Sequence, residues 1–104
     1  MKSQVFFGEE KLKQKYQQSA KEDIFKWLEN AINDLEQNAF CGIQIPKKII
    51  PKKYLRQYEL DNLWKYNLPQ GHRLLYTVAN NEQTVITILI DWLTHKEYER
   101  IFKY

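Results

Sequence analysis

The last third of the chain, HRLLYTVANNEQTVITILIDWLTHKEYERIF, constrains the fold more than any other stretch. It reads as two β-strands, Arg73 to Ala79 and Thr84 to Trp92, joined by Asn80-Asn81-Glu82, a turn in which Asn tolerates positive φ. In an antiparallel hairpin the start of one strand lies beside the end of the next. Arg73 opens the first strand and His95 follows the second, so the two are expected at one sheet edge although 22 positions apart. A permanent cation beside a group that titrates near neutral pH is suited to handling phosphate.

The segments before the hairpin supply the rest of the expected architecture. Gln4 to Phe7 predicts a short strand ended by Gly8, and Glu9 to Gln18 a polar helix with Leu12 and Tyr16 on one side. Ser19-Ala-Lys-Glu22 has the spacing of a capping box. In the helix that follows, Ile24, Trp27, Leu28, Ala31, Ile32 and Leu35 form one apolar stripe. Residues 42–59 contain IPKK twice within nine positions, and Pro46 and Pro51 disfavour a continuous helix there. Pro51 is placed to open a short helix, and Ile45, Ile49, Ile50 and Tyr54 to anchor the segment as an ordered connector. Leu63 to Leu68 alternates as a strand, Pro69-Gln70-Gly71 is a compact turn, and Thr94-His-Lys-Glu97 is a second capping box that starts a helix to about Lys103.

This order predicts one α+β domain over residues 1–104, with helices on one face of an antiparallel sheet. The other face is expected to stay open and to display Lys65, Asn67 and Arg73. A single Cys excludes an internal disulfide framework, and no apolar run approaches a membrane span. A cytoplasmic protein with no membrane association is therefore expected.

Net charge is +3, but it is unevenly spread: residues 1–40 balance at −1, residues 41–76 at +5 and residues 77–104 at −1. The middle third thus carries the whole excess, in Lys47, Lys48, Lys52, Lys53 and Arg56 together with Lys65 and Arg73. Such a local concentration fits either a polyanion-binding patch or a solvated basic loop. Arg73 offers a bidentate fork to phosphate oxygens, or serves as an ordinary strand arginine paired with an acid. His95 and Tyr98, one turn apart at the start of the last helix, suit either acid/base work or packing of that helix. His72 should point away from Arg73. Cys41 and the two His have no metal-ligand spacing, and no Gly-rich phosphate loop is present, so neither a metal nor a cofactor is expected.

Taken in order, LWKYNLPQGHRLLYTV, an apolar strand and LTHKEYERI resemble the RelE/ParE superfamily of toxins from prokaryotic toxin–antitoxin modules. Gly71-His-Arg-Leu-Leu-Tyr76 is similar to that family's glycine–aromatic–arginine–leucine–valine–tyrosine strand. Thr94-His95-Lys96-Glu97-Tyr98 is similar to the threonine–histidine–x–x–tyrosine of HigB-type members. The resemblance implies a RelE-like α+β fold and a metal-independent endoribonuclease that cuts mRNA, in many members on the ribosome. Attack of the ribose 2′-OH on the adjacent phosphorus would leave a 2′,3′-cyclic phosphate. By position, Arg73 would stabilise the pentacovalent phosphate and Lys65 would be a basic strand residue of the site. His95 and Tyr98 would be acid/base or substrate-orienting groups. Asn67 stands where RelE-like nucleases often carry a second basic residue. The resemblance also implies a cognate antitoxin as partner, with residues 42–56 contacting mRNA or ribosomal phosphates. The alternative within the superfamily is a ParE-like or degenerate toxin that acts by binding protein.

RNA binding should weaken steeply with added salt if Lys47, Lys48, Lys52, Lys53 and Arg56 displace phosphate counterions. Replacing all five by Gln should flatten the log–log salt slope. An unchanged slope would assign the segment a structural role.

Overall fold

The computed structural model describes residues 1–81 and 83–102; Glu82 in the expected turn and Lys103 at the end of the expected last helix lie outside the described residues. Along the chain come β1 (Gln4–Phe7), α1 (Glu10–Gln18), α2 (Asp23–Gln37), β2 (Ile43–Gln44), a single 3-10 turn (Lys47–Ile49) and α3 (Lys52–Tyr58). These are followed by β3 (Trp64–Asn67), a turn at Pro69–Gly71, β4 (Arg73–Asn80), β5 (Val85–Leu93) and α4 (His95–Ile101). The five strands make one sheet in the order β1-β5-β4-β3-β2.

The sheet is mixed rather than antiparallel, because β1 runs parallel to β5. The reason is the path of the two N-terminal helices. They return the chain to its own start, where Ala39 N–H donates to the Met1 carbonyl (3.0 Å) and Ser3 N–H to the Glu36 carbonyl (2.9 Å). From there the connector enters at the far edge as β2, and β3, β4 and β5 meander back antiparallel until β5 meets β1.

The second sheet face is covered, contrary to the expectation of an open one. On one face Leu74, Tyr76, Val78, Leu89 and Trp92 pack with Leu12 of α1 and with Leu28, Ala31 and Leu35 of α2. On the other, Leu63, Leu75, Ile90 and Leu93 pack with Ile45, Ile50 and Tyr54 of the connector and α3, and with Tyr98 and Phe102 at the C-terminus. The physical cause is the Leu74-Leu75-Tyr76 run, fully buried at all three positions. Successive strand residues face opposite sides, so such a run needs cover on both.

A bulge sets which β5 residues face which layer. Leu75 pairs with Asp91 but Tyr76 pairs with Leu89, leaving Ile90 as the extra residue. Leu89 and Trp92 therefore share the α2 face, while Ile90 and Leu93 share the α4 face. At the other edge, a Cβ on Gly42 would lie 2.5 Å from the Lys65 carbonyl and collide with the Tyr76 hydroxyl. Only glycine lets the chain pass there, and its N–H donates to that hydroxyl at 3.1 Å. Beyond the end of β3, the Asn62 side chain substitutes for a strand, donating to the Val78 carbonyl (2.8 Å) and accepting from the Val78 N–H (2.9 Å).

The first capping box does not form. Helix α2 begins at Asp23 with Glu22 as its N-cap, and no side chain caps it. Ser19 instead donates to the Tyr16 carbonyl at 2.7 Å, closing α1, while Tyr16 stacks on Phe25 with 4.6 Å between ring centroids. The Glu22 N–H donates to the Ser19 carbonyl (2.8 Å), so Ser19 meets the start of α2 through its backbone while its hydroxyl serves α1.

Half-buried Asp91 lies beyond the last β1 pairing, in the seam where α1 and α3 meet. It accepts from the Tyr54 hydroxyl (3.3 Å) and the Trp92 N–H (2.9 Å). Burial pushes its carboxyl above the usual range, with Lys15 pulling weakly the other way. A raised folded-state value means the native protein binds that proton more readily, so stability falls as pH rises through the window above the ordinary carboxylate value. Asp91→Asn keeps an acceptor for Tyr54, and it should raise the urea midpoint at pH 7. The gain should vanish below about pH 3.5, where both variants are neutral.

Candidate phosphate-binding site

The site is built at the β3–β4 turn. Gln70 (φ 58°) and Gly71 (φ 77°) both take positive φ, and the reversal closes with Leu68 N–H donating to the His72 carbonyl at 2.9 Å. Arg73 then opens β4 directly opposite Asn67, with Lys65 two residues back along β3 on the same face. On its other side Arg73 pairs with Leu93, the last residue of β5. Thr94 follows, and here the capping box forms: its hydroxyl accepts the Glu97 N–H (3.1 Å) and Glu97 accepts the Thr94 N–H (2.9 Å). Those hydrogen bonds, the Thr94 N–H first, hold the Glu97 carboxyl below its usual range. The cap lays α4 across this end of the sheet.

Tyr98 of α4 is buried, with its ring stacked on Phe102 at 4.6 Å. Both strand cations rest on it. The Arg73 guanidinium carbon lies 5.0 Å from the ring centroid and Lys65 Nζ 5.1 Å, while Lys65 Nζ also donates to the Tyr98 hydroxyl at 2.9 Å. Arg73 Nη1 donates to the carbonyls of Gly71 (2.6 Å) and His72 (3.2 Å), which fixes the plane of its fork. Its Nε is buried and has no hydrogen-bond partner among the described residues.

Neither Lys65 nor Arg73 has a carboxylate within 4 Å among the described residues, whose only ion pairs are Lys47–Asp61 and His95–Glu99. The ordinary alternative for Arg73, pairing with an acid, is therefore not met among the described residues. Both cations rest on the Tyr98 ring, and no acid among the described residues pairs with either.

His95 completes the cluster from α4. Its ring lies over Gly71, where a Cβ would come within 2.8 Å of the His95 Cβ and Nδ1. The same glycine thus admits His95 with its Cα and orients Arg73 with its carbonyl. Hairpin register does bring Arg73 and His95 to one corner. His72 points the other way, edge-on to Trp27 of α2 at 5.5 Å.

The five connector cations do not join this corner as a group. Lys47 pairs with Asp61 at 3.5 Å, both exposed. Lys53 lies over the Tyr54 ring and lines the α1–α3 seam with Asp91. Lys48, Lys52 and Arg56 are exposed. A cavity of about 730 Å³ opens at the opposite end of β4, near Asn62 and Asn80. At the cationic corner Lys65 and Arg73 are half-buried, while Asn67 and His95 are exposed.

Sequence reasoning missed two residues here. Glu99 touches His95 Nε2, a contact that its i,i+4 spacing would have suggested. The burial of Tyr98 makes it a platform under two cations rather than an exposed group, which follows only once α3 and α4 are known to cover this face. Among the described residues no three His, Cys, Asp or Glu side chains converge as a metal site, and no helix is long and apolar enough to cross a membrane. Comparison with protein-family models, curated proteins and solved structures finds no match to the chain.

Gly71→Ala places a side chain at positive φ and against His95. It should lower stability by roughly 1–3 kcal/mol, read from urea unfolding. A neutral result would remove Gly71 from its place as the keystone of this corner.

Proposed function

We propose that the chain is a RelE-like toxin of a toxin–antitoxin module, and that its Arg73 corner cleaves mRNA in the cytoplasm without a metal. One observation carries this reading: Lys65 and Arg73 rest on one Tyr98 ring, beside His95, and neither has a carboxylate partner among the described residues. Like charges gathered at one ring repel, and an anion that joins them relieves that repulsion. An RNA phosphate is such an anion, and the exposed Asn67 and His95 flank the two cations. The α+β architecture, with its mixed five-stranded sheet, is compatible with a RelE-like fold.

In this reading the ribose 2′-oxygen attacks the neighbouring phosphorus as its proton passes to His95. The bond from phosphorus to the 5′-oxygen breaks, and that oxygen leaves with a proton from Lys65 or water. The products are a 2′,3′-cyclic phosphate and a 5′-hydroxyl. Arg73 and Lys65 stabilise the pentacovalent phosphate, and Asn67 lines the approach opposite Arg73. Tyr98 positions both cations. Lys48, Lys52 and Arg56, being exposed, are available to mRNA or ribosomal phosphates, whereas Lys47 and Lys53 already have partners in the fold. A cognate antitoxin would be the protein partner.

Arg73→Ala and His95→Ala should each leave the fold intact and slow cleavage of a short RNA by roughly a hundredfold or more. Excess EDTA should leave the rate unchanged, and the products should end in cyclic phosphate. Growth arrest on expression should disappear with either substitution. If both variants stay fully toxic, nuclease action is wrong and a ParE-like toxin acting by protein binding takes its place.

A further inference from the structure

The contacts of His95 distinguish its two ring nitrogens, and what they imply rests on the nuclease reading above. Nε2 faces the Glu99 carboxylate, one turn further along α4. Nδ1 lies on the other side of the ring, over Gly71, where only the absence of a Cβ allows so close an approach. An ionised carboxylate can only accept a hydrogen bond. A neutral imidazole therefore keeps this contact only with its hydrogen on Nε2, and the lone pair falls to Nδ1.

We propose that Glu99 is a positioning residue that fixes the Nε2–H tautomer of His95, making Nδ1 the atom that receives the ribose hydroxyl proton. The proton leaves the 2′-oxygen and joins Nδ1, and the new imidazolium still donates from Nε2 to Glu99. Glu99 holds the ring and balances its charge without taking the proton itself. The charged groups around the ring are few. Glu99 lies on its own helix, Arg73 reaches the corner from β4 through the Gly71 carbonyl, and Lys65 stands beyond Tyr98 on β3. Both cations oppose an imidazolium, whereas Glu99 favours it.

Two measurements on the full chain test this. In long-range proton–nitrogen spectra of protein labelled with nitrogen-15 in its histidines, taken where His95 is neutral, the hydrogen should sit on Nε2. Finding it on Nδ1 overturns the assignment. Glu99→Leu should slow cleavage of a short RNA by roughly tenfold or more in kcat with KM little changed, and move the acid limb of the pH–rate profile to lower pH. Glu99→Gln, which keeps an acceptor oxygen without the charge, should recover part of the rate but not the position of the limb. A Leu variant with unaltered rate and profile overturns the role of Glu99 while the nuclease reading stands. A wild-type protein that cuts no RNA sinks the nuclease reading, and the spectra then decide the tautomer alone.

Discussion

Everything in this fold answers to the central strand, β4. Leu74, Leu75 and Tyr76 are each completely buried, and they point alternately to opposite sides. Burying a large apolar side chain is worth about 1.5–3 kcal/mol, so neither side of β4 can be left to water. Helices α1 and α2 meet that demand on one side. The proline-interrupted connector, α3 and α4 meet it on the other. Residues 42–59, which carry much of the positive charge, are thus structural first: Ile45, Ile50 and Tyr54 hold them to the sheet while their lysines remain outside.

The bulge at Ile90 links this packing to the cationic corner. Strict alternation would have set Ile90 and Trp92 on one side of β5, and Leu89, Asp91 and Leu93 on the other. The extra residue instead sends Leu93 to the face that carries Leu75, Lys65 and Arg73. With Leu93 paired to Arg73, the chain leaves β5 beside Gly71, and Thr94 caps α4 at that point. Tyr98 then enters the second core between Leu93 and Phe102, its ring facing the two strand cations. The corner is a consequence of how the second layer is seated.

Local rules were legible where they had no competitor. The Thr94–Glu97 box forms because nothing else contends for those groups, and the turn at Pro69–Gly71 follows from a Pro and a Gly at its ends. The same box spacing at Ser19–Glu22 fails because the Ser19 hydroxyl closes the preceding helix. Strand parity placed Arg73, Lys65 and Asn67 on one face. Two-sided cover of that face was overlooked although three consecutive large apolar residues on β4 signal it. The parallel pairing of β1, the bulge, and the seat of Asp91 between α1 and α3 depend on contacts between distant segments. No window of sequence contains them.

The electrostatics of the corner bear on when it binds most strongly. Arg73 and Lys65 each lie about 5 Å from one ring centroid, so they are no more than about 10 Å apart. At an effective dielectric constant near 20 their repulsion is then at least about 1.7 kcal/mol. Two cation–π contacts return roughly 0.5–1 kcal/mol each and offset part of that repulsion. Among the described residues no carboxylate competes for either cation, so an entering anion is attracted by both. On the nuclease reading, the charge on the phosphate oxygens grows as the 2′-oxygen attacks, and with it the attraction to both cations. A corner whose two cations repel in the free protein thus favours the most highly charged species along the path. That is the differential binding from which rate acceleration arises.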